Sequence, residues 1–184
     1  MSYMGERVHI RFIRANDAEA LLDLMQNNRA LFEQVVPKRN ESFYTLEQQE
    51  KIIDQWTKSR DEDKRYAFGI FLNETNQLIG EVSFFEVRRG ALQNCILGYC
   101  LDQKHNGKGY MTEAIDLILN FAFKEAGLHR VEAGVLPSNQ GSIRVLEKAG
   151  FKKEGLAKKL LEINGKREDH LMFAILDEDF FSAK

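Results

Sequence analysis

Asn106-Gly107-Lys108-Gly109-Tyr110-Met111-Thr112-Glu113-Ala114 stands between an apolar run, Ile96-Leu97-Gly98-Tyr99-Cys100-Leu101, and a helix-like run from Ala114 to Ala126. A glycine-rich turn from strand to helix exposes several backbone N–H groups at a helix N-terminus. Those donors and the helix dipole attract phosphate. Glycine lets the backbone come close with no Cβ in the way. The stretch therefore points to a phosphorylated ligand. Two common nucleotide signatures fail. The dinucleotide fingerprint needs a third glycine and an acidic residue about 20 positions on. Here Met111-Thr112 replaces the glycine, and Gly127, Leu128 and His129 stand where the acid belongs. The triphosphate loop needs Gly-Lys-Ser/Thr, but Gly107-Lys108 is followed by Gly109.

A second block runs Asn139-Gln140-Gly141-Ser142-Ile143-Arg144-Val145-Leu146-Glu147-Lys148-Ala149-Gly150-Phe151. Ser138 or Asn139 is a natural helix N-cap, and Gly150 a natural helix end. Alone it reads as a capped surface helix. In this order and at this separation, the two blocks resemble the GNAT acetyltransferase superfamily. Its pyrophosphate motif is Gln/Arg-x-x-Gly-x-Gly/Ala. Asn106 falls at the Gln/Arg position, Gly109 at the central glycine and Met111 at the small position. Asn106 therefore lacks the long side chain that can brace the loop. The likeness is greatest to the enzymes that acetylate the N-terminal alanine of ribosomal proteins. It is carried by Leu97-Gly98-Tyr99, Gln103-Lys104, Met111, Glu113-Ala114, His129-Arg130, Lys153-Glu154-Gly155 and Arg167-x-Asp169-His170. Val87-x-Arg89-Gly90 and the stretch from Asn28-Arg29 to Glu41-Ser42 extend it toward the N-terminus.

The resemblance implies an α/β GNAT fold. That is a central mixed, mostly antiparallel twisted sheet flanked by about four helices, with a C-terminal β-hairpin. Residues 1–184 would form one domain with its core over 7–176, as the length also suggests. It implies acetyl-CoA as co-substrate, no metal, and transfer of acetyl to a primary amine by direct attack. Residues 97–101 would splay from the neighbouring strand. The backbones of Tyr99 and Leu101 would then pair with the pantetheine amides, and Gly98 or Tyr99 would supply an oxyanion donor. Asn106, Gly107, Lys108, Gly109, Tyr110, Met111 and Thr112 would hold the pyrophosphate, and Asn139 and Ser142 would meet the pantetheine arm. Many relatives carry a tyrosine acid at the position of Leu146, which cannot donate a proton; Ser142 is left to protonate the thiolate. A thiolate can also leave without a dedicated acid. For the base, Glu81 and Glu162 lie on strands that could face the cleft, Glu162 being carried as a catalytic candidate. His170 reads as a packed strand residue.

The favoured acceptor is the N-terminal alanine of a ribosomal protein. The alternatives are a small amine, such as a polyamine or an aminoglycoside, or a non-catalytic acyl-CoA-binding protein. An acidic cleft would favour the small cations, and Glu33, Glu47, Glu50 and Asp54 lie on the early helices.

The remaining features set bounds. The 184 residues are 43% hydrophobic and 29% charged with a net charge of −2, an ordinary globular composition that argues against bulk nucleic-acid binding. Lys152, Lys153, Lys158, Lys159, Lys166 and Arg167 cluster near the expected hairpin, as a solvated face or a ribosome-facing patch. Cys95 and Cys100 lie roughly 16–18 Å apart on an extended strand, too far for a disulfide, and their spacing suggests no metal site. A reduced, cytoplasmic setting is expected. No apolar run approaches a membrane helix, and the N-terminus has no apolar signal core. Exposed sheet edges leave a homo-oligomer open. Asn164-Gly165 between alternating runs predicts the hairpin. Thr45-Leu46-Glu47-Gln48 predicts a capped helix start.

Overall fold

The computed structural model describes residues 1–183. The chain opens with β1 (Ser2–Met4), β2 (Val8–Phe12), α1 (Ala18–Asn27), α2 (Arg29–Phe32) and α3 (Leu46–Asp61). β3 (Tyr66–Leu72), β4 (Leu78–Arg88), β5 (Asn94–Leu101), α4 (Tyr110–Lys124), β6 (Arg130–Val135) and α5 (Gln140–Lys148) follow. The chain ends with β7 (Lys152–Ile163), β8 (Lys166–Leu176) and α6 (Asp177–Ser182). One eight-stranded sheet runs in the order β1-β2-β3-β4-β5-β6-β8-β7. Every neighbouring pair is antiparallel except β5 and β6. A parallel pair needs a crossover, which α4 supplies.

The sheet is covered on both faces, so β3 is buried along nearly its whole length instead of alternating. On one face α4 inserts Ile115, Ile118, Leu119 and Ala122, all fully buried. Phe121 adds edge contacts to Tyr3, Tyr66 and Phe68 at 4.9–5.9 Å between ring centroids. On the other face Leu21, Leu24 and Ile53 from α1 and α3 pack on Phe71 and Leu78. The buried positions of α1 are Ala18, Leu21 and Leu24.

β2 stops at Phe12. Asp17 turns the chain there: its carboxylate accepts from Arg14 N at 2.8 Å and from both terminal nitrogens of Arg11 at 2.7 and 2.8 Å. Burial alone would raise its carboxyl, but these donors outweigh it and hold it below the usual range. Thr45 caps α3, accepting from Gln48 N at 3.3 Å. Asn139 caps α5, and Gly150, at φ +90°, follows its end. The hairpin is longer than its apolar pattern foretold, since β7 begins at Lys152. As an edge strand it is exposed along most of its length and interrupted by bulges between Lys153 and Gly155 and between Ala157 and Leu161, so no alternation marks it.

Candidate active site

β5 and β6 pair only through Asn94–Arg130, Cys95–Val131 and Ile96–Glu132. Beyond Ile96 the strands part: β6 continues alongside β8, and residues 97–101 keep only β4. The direction of the freed groups follows from the ladder. Asp102 N donates to Ile79 O at 2.8 Å, so even-numbered β5 residues aim their amides at β4. The period-2 alternation turns the amides of Leu97, Tyr99 and Leu101 toward the gap. Gly98, one of the two expected oxyanion donors, faces β4 instead.

The gap opens into a cavity of about 890 Å³. One end is built from the 106–112 turn and the start of α5. The other lies under α1, α2 and α3, where Met25, Phe32, Gln49, Ile52 and Trp56 form the wall. Of the residues singled out in the sequence, Tyr99, Leu101, Asn106, Gly107, Gly109, Tyr110, Met111, Thr112, Asn139 and Ser142 all line this cavity. Lys108 is exposed and outside the lining. Gly107 and Gly109 sit at φ +76° and +82°, a left-handed backbone that costs other residues about 1–2 kcal/mol, and Gly109 starts α4 with its N–H groups free.

The loop has a brace the sequence did not suggest. Arg7, just ahead of β2, donates through Nη1 to Lys108 O at 2.7 Å and through Nε to Glu113 at 3.1 Å. Glu113 in turn accepts from the backbone N–H groups of Arg7 and Val8 at 2.8 and 3.2 Å. Burial pushes the Glu113 carboxyl up, but these donors hold it below its ordinary value. A Cβ on Gly109 would stand 3.1 Å from Arg7 Nη2. Arg7 thus takes over the bracing for which Asn106 is too short. Nothing in the local sequence marks it, because it is 101 residues from Lys108.

Across the gap, Tyr99 Oη lies 2.6 Å from Ser142 Oγ. Burial lifts the phenol to about 12, with the Ser142 hydrogen bond opposing; it holds its proton at neutral pH. The sequence reading had used Tyr99 only for its backbone. Asn139 spends its side-chain oxygen on Ser142 N at 3.2 Å, so only its amide nitrogen is left for a ligand. Leu146 is buried in the core.

The candidate bases separate. Glu162 lies exposed on β7, outside the cavity lining, with Arg167 3.7 Å away. β7 is the sheet edge, exposed on both faces around Glu162, so Glu162 meets solvent and not the cleft in which it was expected. His170 is buried, Nδ1 3.2 Å from Glu168 O, also outside the lining. Glu81 does line the cavity, only 9% exposed. Burial raises its carboxyl, while Arg65 and a Ser83 hydrogen bond pull it down. In the basic cluster, Lys152 pairs with Asp179 and Lys166 with Glu168, which halves the unpaired charge once Arg167 is counted.

Residues 7–152 match the Acetyltransferase (GNAT) domain family. The chain is 50% identical over 175 residues to the probable N-acetyltransferase YjcK of Bacillus subtilis, covering 95% of this chain and 97% of that one. The crystal structure of the ribosomal-protein-S5-alanine acetyltransferase of Vibrio fischeri superposes with a TM-score of 0.92 at 32% identity, covering 98% of both chains. Mycobacterium smegmatis RimJ in complex with CoA-disulfide gives 0.89 at 29% identity, covering 94% of this chain and 83% of that one. A family match over most of the chain, and a relative half identical along nearly its full length, have one consequence: this protein belongs to the GNAT acetyltransferases and is an N-acetyltransferase.

Proposed function

We propose that the protein moves acetyl from acetyl-CoA to the N-terminal alanine of a ribosomal protein. The observation that carries the transfer chemistry is the parted β5–β6 pair, with the Tyr99 and Ser142 hydroxyls in contact across it. Acetyl-CoA supplies an activated thioester. The residues fit it: glycines at positive φ and an open helix N-terminus suit a pyrophosphate, and the free Tyr99 carbonyl and Leu101 amide suit a chain of amides laid along the strand. The Tyr99 N–H is positioned to stabilise a developing oxyanion. Ser142, backed by the Tyr99 hydroxyl, donates the proton that the departing sulfur takes up, and the proton shed by the attacking amine passes to solvent. No covalent enzyme intermediate is required, since the amine attacks directly.

The choice of acceptor is supported by the likeness to the Vibrio fischeri enzyme, and such an acceptor places the protein in the cytoplasm. The early-helix acids lend a polyamine or aminoglycoside little support. Of Glu33, Glu47, Glu50 and Asp54, only Glu33 lines the cavity, and Arg29 already holds it at 2.9 Å. Glu47 and Asp54 pair with Lys51 and Lys58 on the exposed side of α3.

The test is thiol release from acetyl-CoA with an alanine-starting ribosomal peptide, spermidine and an aminoglycoside. Turnover with the peptide alone is expected. Turnover confined to a small amine replaces the acceptor. Acetyl-CoA binding without release to any of the three overturns the alanine acceptor and leaves a different amine or a binding module.

A further inference from the structure

Two polar side chains of the cavity lining, Glu81 and Arg65, take no part in the transfer chemistry. Glu81 of β4 lies across from Cys100 of β5, next in sequence to Tyr99. It is nine-tenths buried, and its Oε1 has no hydrogen-bond partner. Arg65, just before β3, also lines the cavity, and its Nε is likewise buried and unpartnered. Arg65 is held in place by the rings of Trp56 and Phe85, 5.1 and 5.7 Å from the guanidinium carbon, and by a 3.3 Å hydrogen bond from Nη2 to Ser83 Oγ. Buried polar groups are almost always satisfied. Here one acceptor and one donor go unsatisfied in the lining of one cavity, on side chains that both engage Ser83.

A ligand that satisfies both must bring a donor and an acceptor. An isolated alkylamine brings only the donor. An α-aminoacyl end brings an ammonium and, three bonds away, a carbonyl oxygen. A carboxylate turns easily about its terminal torsion, so Glu81 can present the unpartnered oxygen without moving its strand. We propose that Glu81 and Arg65 read the acceptor, Glu81 receiving the ammonium and Arg65 the first carbonyl of a peptide N-terminus. The inference rests on the transferase reading and deepens it: the site selects an α-amino group from other primary amines by the carbonyl that follows. A site built to hydrogen-bond a group discriminates strongly against ligands lacking it, because its own polar atoms are then stranded.

The test measures binding of an alanine-starting peptide to the CoA-saturated protein by calorimetry, with turnover of the peptide and of propylamine in parallel. The proteins are wild type, Glu81→Gln, Glu81→Asp and Arg65→Met, each first shown to bind CoA with wild-type affinity. Glu81→Gln is expected to weaken the peptide at least tenfold, with partial recovery in Glu81→Asp. Arg65→Met is expected to weaken the peptide at least tenfold while changing propylamine, read as substrate or as competitive inhibitor, less than threefold. An Arg65→Met that weakens both acceptors alike, or a Glu81→Gln that binds peptide as the wild type does, overturns the proposal. Peptide binding that depends on both residues without turnover would leave this pair standing and remove the proposed reaction. Turnover indifferent to both substitutions would do the reverse.

Discussion

Tyr99 and Ser142 sit on different elements, and their hydroxyls meet 2.6 Å apart. Tyr99 comes from the freed end of β5, and Ser142 from the first turn of α5, fixed there by its N–H to Asn139. A serine hydroxyl alone is a poor acid; a second hydroxyl behind it can restore the proton it gives up. Ser142→Ala should therefore lower kcat on the order of 10²-fold, the lower range for a proton donor, with the affinity for CoA nearly unchanged. Steady-state kinetics beside calorimetry decides this, and an unchanged kcat removes the acid role. Ser142 was legible from Asn-x-x-Ser and the resemblance, since the motif lies within one helical turn. Its partner was not, because contact between residues 43 apart depends on where the strands part.

At the scale of elements, the phosphate-type loop is held from outside. Arg7 ties the start of β2 to Lys108 and Glu113, and its guanidinium lies 5.2 Å over the Tyr110 ring. Hydrogen bonds to charged groups contribute about 1.5–3 kcal/mol, less where solvent screens them, and Arg7 is half exposed. Arg7→Met should weaken CoA binding about five- to tenfold while kcat at saturation changes little. Wild-type affinity in calorimetry would show that Asn106 and the glycines hold the loop unaided. The wall opposite is fastened in a similar way: Asn164 in the hairpin turn accepts from Lys38 N at 3.1 Å and donates to Glu33 O at 2.8 Å. The Asn-Gly pair that announces a hairpin thus also latches the segment after α2 beside the cavity.

Across the whole molecule, the site opposes stability. Burial lifts the Glu81 carboxyl above its ordinary value of 4.5, against the pull of Arg65 and Ser83. Between 4.5 and the raised value, the folded chain keeps a proton that the unfolded chain has lost. Stability therefore falls as pH rises through that window, and the loss is complete above it. Glu81→Gln mimics the protonated form, so it should melt higher than wild type at pH 8, by about 2–4 °C for each kcal/mol relieved. The gap should close as pH approaches 4.5. Scanning calorimetry at pH 8 and pH 5 checks this; a variant that melts lower by the same margin at both would show that Glu81 supports the fold. A residue that weakens the fold while serving ligands fits the trade-off common at functional sites.

Local patterns in the chain determined much of the architecture: β3 from its apolar run, the starts of α3 and α5 from their capping residues, and the loop from glycines that alone tolerate its backbone. These are short-range properties, and 106–112 carries its chemistry in consecutive residues. Tertiary structure decided the rest. Charged β7 forms because β8 offers it an edge, and Arg7 braces the loop because β2 begins beside α4. Glu81 rather than Glu162 faces the cavity because the sheet places β4 beneath the helices and β7 at its rim. Burial, and the charge it makes costly, belongs to positions in the folded sheet, and no spacing along the chain encodes it.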